Sequence, residues 1–378
     1  MMKYVQVKKV ETAQEMRDFV QLPRRIYGGC LYYVPDLERE VRNTFRLGNA
    51  ALKQAEVQAF IAYDGEGEAV GRIAGMINRR ANEKWHTRTV RFGFIEFIDA
   101  LEVSAALLHA VEEWGKSRGM DCVQGPMGLF NFDKAGMLVE DFDQPATMTT
   151  IYNPPYYPKH LEAMGFVKAV DWVQISIAVP ETVPAKYARV AKYARETFGL
   201  TVRKVDRRDI YERGYGMKLF RLLNAAYSPL FGYTDVSEKQ IGMYIRQYLP
   251  FIDKNLMPII EDGKGEVIGA AITMGSLSHA LQRTGGRLFP WGWFHLFRAM
   301  LWRREEKVEM LLIAVHPDYQ GFGVNALIFD DLIPVYNRYH FKVAETCPQL
   351  EDNMKELSQW KPLNPTYGKR RRCYRKEI

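Results

Sequence analysis

Apolar and polar positions alternate or cluster in a way that predicts two similar runs of elements. The first opens with a strand, VQVKKV, a helical or turn region around Glu11 to Val20, and the loop PRRIYGGCLYYVPD. It continues to the alternating run VRFGFIEFI and then a helix whose Val103, Leu107, Val111 and Trp114 share one face, ended by Gly119. DCVQGPMG reads as a short buried strand and turn, YYPKHLEAMGF as a short helix ended by Gly165, and VKAVDWVQISIAV as a long strand. After the Pro-rich linker PETVPAK, the second run restarts at LTVRKV and enters a helix, RDIYERGYGMKLFRLLNAAY. A second helix follows, with Ser237 as N-cap and Gln240 at the capping-box position. An insertion-like element, SLSHALQRTGGRLFPWGWFHLFRAMLWRREEKVE, precedes the strand EMLLIAV, a glycine loop, a helix and the strand FKVAETC.

The two runs share an internal repeat. DGEGEAVGRIAGM, Asp64 to Met76, aligns with DGKGEVIGAAITM, Asp262 to Met274, with six identities in 13 columns and a separation of 198 residues. Each copy follows a strand-like stretch, and D-G-x-G is a hairpin signal because glycine takes positive φ in tight turns. Two such hairpins half a chain apart predict duplicated domains, 1–180 and 181–378, joined near Pro180 to Lys186. The element order, with helices and hairpins in place of repeated βαβ units, predicts an α+β (α/β layered) fold, each domain a mixed, mostly antiparallel sheet flanked by helices.

Composition narrows the class. With 47% hydrophobic and 26% charged residues over 378 positions, the chain can bury two cores, which excludes global disorder. The four cysteines are dispersed without C-x-x-C, so neither a disulfide framework nor a metal site is expected. Charges interrupt every apolar run near the start, which argues against a signal peptide and for a cytoplasmic location, and the Leu288 to Trp302 stretch is too short to span a bilayer. The net charge of +7 is concentrated in the last ten residues, which carry +5. That distribution suits a solvated end, a strand edge or the rim of an anionic ligand site better than a nucleic-acid footprint, so no nucleic-acid partner is expected.

The most specific local signal is LLIAVHPDYQGFGVNALIFDDLI. An apolar strand, Leu311 to Val315, leads through His316 and Pro317 into Gln320, Gly321, Phe322, Gly323, Val324 and Asn325 at the mouth of a helix. Glycines there let backbone N–H groups converge on an anion, reinforced by the helix N-terminus. An ordinary strand-to-helix turn accounts for the spacing equally well.

This combination resembles the GNAT (N-acetyltransferase-like) superfamily, whose signature is a strand leading to Q/R-x-x-G-x-G/A and a helix. Gln320 and Gly323 match the first two positions, and Asn325 stands at the third. The resemblance covers nearly the whole chain as a tandem pair. YYPKHLEAMGF matches an element near the end of the family fold, but Asp99 and Glu102 occupy the place of a phosphate loop in the first half, which marks it as the degenerate copy, substrate-binding or structural.

The resemblance implies an acyl-CoA donor, acetyl-CoA or another acyl-CoA, and no metal. Its amides would pair with Leu312, Ile313, Ala314 and Val315, its diphosphate would lie on residues 320–325, and Asn353 would contact the pantetheine region. Gly323→Glu is expected to weaken that binding strongly while leaving the fold largely intact. Glu309, six residues before Val315 and so on the same face of a period-2 strand, resembles a general-base glutamate, and Tyr367 is the candidate acid for the departing thiol. A solvated Glu309 and a packing Tyr367 are the bland readings beside these.

The implied activity is acyl-CoA-dependent N-acyl transfer, read first as acetyl transfer by direct attack of a primary amine on a small molecule or peptide. Aminoacyl or long-chain acyl transfer and noncatalytic coenzyme A binding are the alternatives. The aromatics Trp291, Trp293, Phe294, Phe297 and Trp302 are read as helix packing or the lining of an apolar pocket.

Overall fold

A computed structural model describes residues 5–46, 52, 55–302 and 305–378. It forms two compact units, Met1–Val173 with Leu277–Arg298 and Gly368–Ile378, and Gln174–Ser276 with Ala299–Tyr367. The chain passes from one to the other inside a strand, a few residues before the Pro-rich linker at which the sequence suggests a boundary.

The first unit runs β1 (Val5–Lys9), α1 (Ala13–Ile26), α2 (Glu38–Thr44), β2 (Ala55–Asp64), β3 (Ala69–Asn78), α3 (Arg79–Trp85), β4 (Thr89–Phe97), α4 (Leu101–Lys116), β5 (Cys122–Gly125), β6 (Met137–Leu138), α5 (Tyr156–Ala163) and the start of β7 (Val167–Ala178). Thr12 and Glu15 close a capping box on α1, and Val103, Leu107, Val111 and Trp114 of α4 pack with Ile73, Phe92 and Tyr157 into the main core. Strands β1-β2-β3-β4-β5 are neighbours in that order, antiparallel except for the parallel pair β4–β5.

The later elements are α6 (Ala185–Phe198), β8 (Thr201–Lys204), α7 (Arg207–Tyr211), α8 (Tyr215–Tyr227), α9 (Glu238–Tyr248), β9 (Pro258–Glu261), β10 (Val267–Gly275), α10 (Ser278–Thr284), α11 (Gly292–Leu301), β11 (Lys307–Val315), α12 (Val324–Arg338), β12 (Val343–Thr346), β13 (Gln349–Leu350), α13 (Met354–Ser358) and β14 (Thr366–Glu377). Strands β8-β9-β10-β11-β12 repeat the first pattern, antiparallel except for the parallel pair β11–β12.

The duplication holds at atomic detail. Asp64 Oδ1 accepts from the amides of Glu66 and Glu68, and Asp262 Oδ1 accepts from those of Lys264 and Glu266. Gly67 and Gly265 take φ of 84° and 78° in the two turns. A Cβ on Gly71 would lie 2.6 Å from Leu107 of α4, and one on Gly269 would lie 2.3 Å from Val324 of α12. The repeated glycine therefore lets a helix settle onto the sheet in both copies.

Two helical elements depart from the sequence reading. The expected single helix 208–227 breaks at Gly214, whose φ is 77°, into α7 and α8. Helix α6 is unforeseen, because its buried face is narrow, Tyr187, Ala191 and Ala194, and charged residues mask its period.

The basic last residues are not a solvated end. They form β14, paired with β5 and β6, and their charges are matched within the first unit. Arg372 forks onto Asp171 at 2.8 and 3.0 Å, Arg370 reaches Glu140 at 3.2 Å, Lys376 reaches Glu112 at 2.9 Å, and Arg371 is fully buried with Ile151 O as an acceptor.

Candidate functional site

The parallel pairing of β11 with β12 runs from Lys307↔Val343 to Met310↔Thr346 and then ends. Beyond it Cys347 N still donates to Met310 O, but β12 has stopped while β11 continues to Val315 against β10 alone. The two parallel strands thus diverge beside Leu312, Ile313, Ala314 and Val315. A strand edge opened in this way offers main-chain donors and acceptors to an extended ligand. One acceptor is already engaged, since Tyr227 Oη donates to Ile313 O at 2.7 Å.

At the far end of β11 the backbone turns through Pro317–Tyr319 and two left-handed glycines, Gly321 at φ 92° and Gly323 at φ 83°. Gly323 is the N-cap of α12, and no side chain caps that helix, which leaves its first-turn amides to other acceptors. Tyr319 anchors the loop through Asp262 at 2.8 Å, and exposed Phe322 packs against Phe198 with ring centroids 4.7 Å apart and the rings tilted by 54°. Val324 is buried against β10, and the side-chain oxygen of Asn325 is buried without a hydrogen-bond partner among the described residues.

Gly323 cannot serve as the neutral test position that the sequence suggests. A Cβ there would sit 2.9 Å from Val190 and 3.2 Å from Ala194 of α6, at a φ that L side chains rarely adopt, so Gly323→Glu would strain the fold itself.

Glu309 lies on the paired half of β11, opposite Met274 on β10 and Glu345 on β12. Its side chain is buried, and burial raises its pKa to about 7; a Ser276 hydrogen bond opposes the rise and the Glu345 charge adds to it. Glu345 is itself held by Lys307 at 2.8 Å and Gln174 at 3.2 Å. The period-2 argument linking Glu309 to Val315 does not survive. Ile272 pairs with Leu312 but Thr273 with Met310, so Leu311 is an extra residue, and the bulge changes which face later residues present.

The remaining residues are scattered. Tyr367 is half exposed at the start of β14, and Asn353 spends its side chain capping α13, accepting from Glu356 N at 3.3 Å. Asn153, in the aromatic turn before α5, holds Leu138 through both backbone atoms, a structural role. The His316 backbone N–H donates to Ile268 O of β10, and its ring accepts from Asp318 N at 3.4 Å. The aromatics of α11, Trp293, Phe294 and Phe297, are each more than a third exposed and belong to none of the buried core clusters among the described residues.

The first copy shows why its equivalent edge differs. In matching register Gly71↔Phe97 corresponds to Gly269↔Val315, and Met76↔Arg91 to Met274↔Glu309. Arg91 therefore stands where the second copy has Glu309. At the Val315 equivalent, Phe97 N donates to Tyr157 Oη at 2.8 Å and Tyr156 Oη donates to Phe97 O at 2.7 Å, so both backbone groups are taken by the chain's own side chains. Asp99 is engaged by His160 at 3.1 Å, and no side chain caps α4.

The first unit also buries a polar cluster that sequence reasoning missed. Glu96 accepts from Tyr27 and, at 3.0 Å, from Tyr157, with Arg72 3.8 Å away; burial raises its pKa to about 7 against the lowering influence of Arg72 and the two phenols. A cleft nearby is lined by Arg24, Tyr33, Asp36, Glu38 and Arg72. The members come from four separated elements, and only the alternation of Glu96 in an otherwise apolar strand signals it locally.

No metal-binding group of His, Cys, Asp or Glu occurs among the described residues, and none of their helices is long and apolar enough to cross a membrane.

No family model matches the chain. It is 25% identical over 377 residues to protein YghO of Escherichia coli (strain K12), covering 96% of this chain and 93% of that one. To the bacterial ceramide synthase of Caulobacter vibrioides it is 28% identical over 300 residues, covering 79% and 76%. Among solved structures, a tandem GNAT protein from the clavulanic acid biosynthesis pathway superposes with a TM-score of 0.58 over 99% of this chain and 98% of that one, at 12% identity. A GCN5-related N-acetyltransferase from Sphaerobacter thermophilus gives 0.53 over 99% and 95%, at 14%. The chain has the tandem GNAT fold, an α+β architecture of mixed sheet with flanking helices.

Proposed function

We propose that this chain is an acyl-CoA-dependent N-acyltransferase whose donor site lies in the second copy, and the observation that carries the reading is the divergence of β11 from β12 beside an uncapped helix N-terminus. The donor's diphosphate would rest on the amides of residues 320–325 and its pantetheine amides along Leu312 to Val315. Asn325 fits such a ligand, since its buried oxygen can accept from a bound hydroxyl or amide. The first copy would be a binding or structural partner, because tyrosines occupy its corresponding strand edge.

A bound thioester supplies an acyl carbon open to attack by an amine. Glu309 is the proposed base: in its ionised form, populated as the pH rises through about 7, it accepts the ammonium proton directly or through a water and so frees the amine lone pair. Backbone N–H groups near Val315 would stabilise the oxyanion, and Tyr367 is the proposed proton donor to the leaving thiolate. Tyr367 is half exposed, so a water molecule can supply the same proton.

The acyl chain is proposed to be long in preference to acetyl. The relative named bacterial ceramide synthase supports this, ceramide being an amide of a long-chain acid with an amino-alcohol lipid. Titration calorimetry with coenzyme A and its acyl esters tests the donor site. Asn325→Asp adds a negative charge beside the proposed diphosphate with almost no change in volume, and a carboxylate in the first turn of α12 favours the helix. Affinity is expected to fall about 10-fold or more, with circular dichroism checking that the fold persists, since a buried carboxylate costs some stability. Unchanged affinity rejects the site.

A further inference from the structure

We propose that residues 287–302 form a dock for an anionic bilayer surface, with α11 lying flat in the headgroup region and its aromatic face at the acyl boundary.

Water-facing helix surfaces are ordinarily polar. Here the outward side is the apolar one. Trp293, Phe294 and Leu301 of α11 are 49%, 38% and 52% exposed, the approach to the helix adds Phe289 at 75% and Trp291 at 70%, and Trp302 just beyond it is 69% exposed. The opposite side faces the protein. Gly292 is buried, with Arg287 O only 1.7 Å from where its Cβ would stand, and Leu296 packs with Leu281 and Tyr152 in the first unit's satellite core. The Trp293 indole N–H donates to Pro290 O at 3.1 Å, so that ring can enter an apolar layer without losing a hydrogen bond to water.

The charge of the surrounding sequence selects the occupant. Between Glu266 and Glu305 there is no Asp or Glu, while Arg283, Arg287, Arg298, Arg303 and Arg304 fall within that interval. Exposed aromatics on one face, with Arg298 on the same helix and no acidic residue in the surrounding stretch of sequence, match an interface between hydrocarbon and anionic headgroups. Arg287 is partly neutralised by Glu38 at 3.4 Å. A ten-residue helix rises only about 15 Å and cannot span a bilayer, so the contact is with one leaflet. The proposal uses this surface alone and stands whether or not the donor reading holds.

The test is flotation of the full chain with phosphatidylcholine vesicles, with and without phosphatidylglycerol, read together with tryptophan emission. Binding is expected to need phosphatidylglycerol, to weaken with salt and to shift the emission to the blue. A triple variant, Trp291→Ser, Phe294→Ser and Leu301→Ser, is expected to bind at least about 10-fold more weakly with an unchanged melting curve, since these side chains point away from the core. As a control on folding, Arg298→Glu alone is expected to weaken binding to the anionic vesicles. Failure of the parent protein to bind vesicles overturns the proposal, as does equal binding by the triple variant. A concentration-dependent dimer in sedimentation velocity that the triple variant abolishes, without vesicle binding, overturns it in favour of a second copy on this face.

Discussion

Glu309 and Arg91 hold one position of the duplicated register with opposite charges, so base chemistry at that position belongs to one copy only. Because burial lifts the Glu309 carboxyl from an ordinary 4.5 to about 7, kcat/KM with a primary amine is expected to rise with pH through about 7 and then level. Glu309→Gln should lower turnover about 10²-fold near neutral pH and flatten that limb, a result read from paired pH–rate profiles. Equal profiles would remove Glu309 from the mechanism. The same shift has a thermodynamic sign. Folding takes up a proton between about 4.5 and 7, so this group's contribution to stability is full below that window and falls as the pH rises through it. Denaturant titrations across the window should show a shallower decline in Glu309→Gln. Its burial was not legible in the sequence, where it follows the charged run RREEKV; strand pairing on both sides makes it internal.

The strand-to-helix element repeats with one physical requirement, a glycine on the neighbouring strand where the helix meets the sheet. Gly269→Ala would push a methyl into Val324, 2.3 Å away, and should destabilise the protein by about 1–3 kcal/mol. Adding Val324→Ala removes the opposing atom, so the double variant should recover part of the loss; strict additivity in chemical denaturation would refute the contact as the cause. At this scale the sequence was most readable. The D-G-x-G hairpins, the glycine loop and the Ser237 capping box are local chemistry, and each is found where its residues place it. Elements whose form depends on distant partners were not readable. The Leu311 bulge answers to β10, α6 hides its small buried face among charges, and the Glu96 cluster joins phenols 69 and 61 residues away.

Neither compact unit is a continuous stretch of chain. The first needs residues 368–378, whose β14 pairs with β5 and sets Tyr374 and Cys373 among its fully buried side chains. Removing those residues should therefore unfold the first unit, distant though it is in sequence, and hydrogen exchange at β4 and β5 would report it; retained protection there would contradict the exchange of segments. The arrangement also imposes a schedule on synthesis. Residue 173 leaves the ribosome long before residue 368, and at ordinary elongation rates the interval is roughly 10–40 s. Through that time the β5 edge has no β14 to cover it, and an uncovered edge is a template for unwanted strand addition.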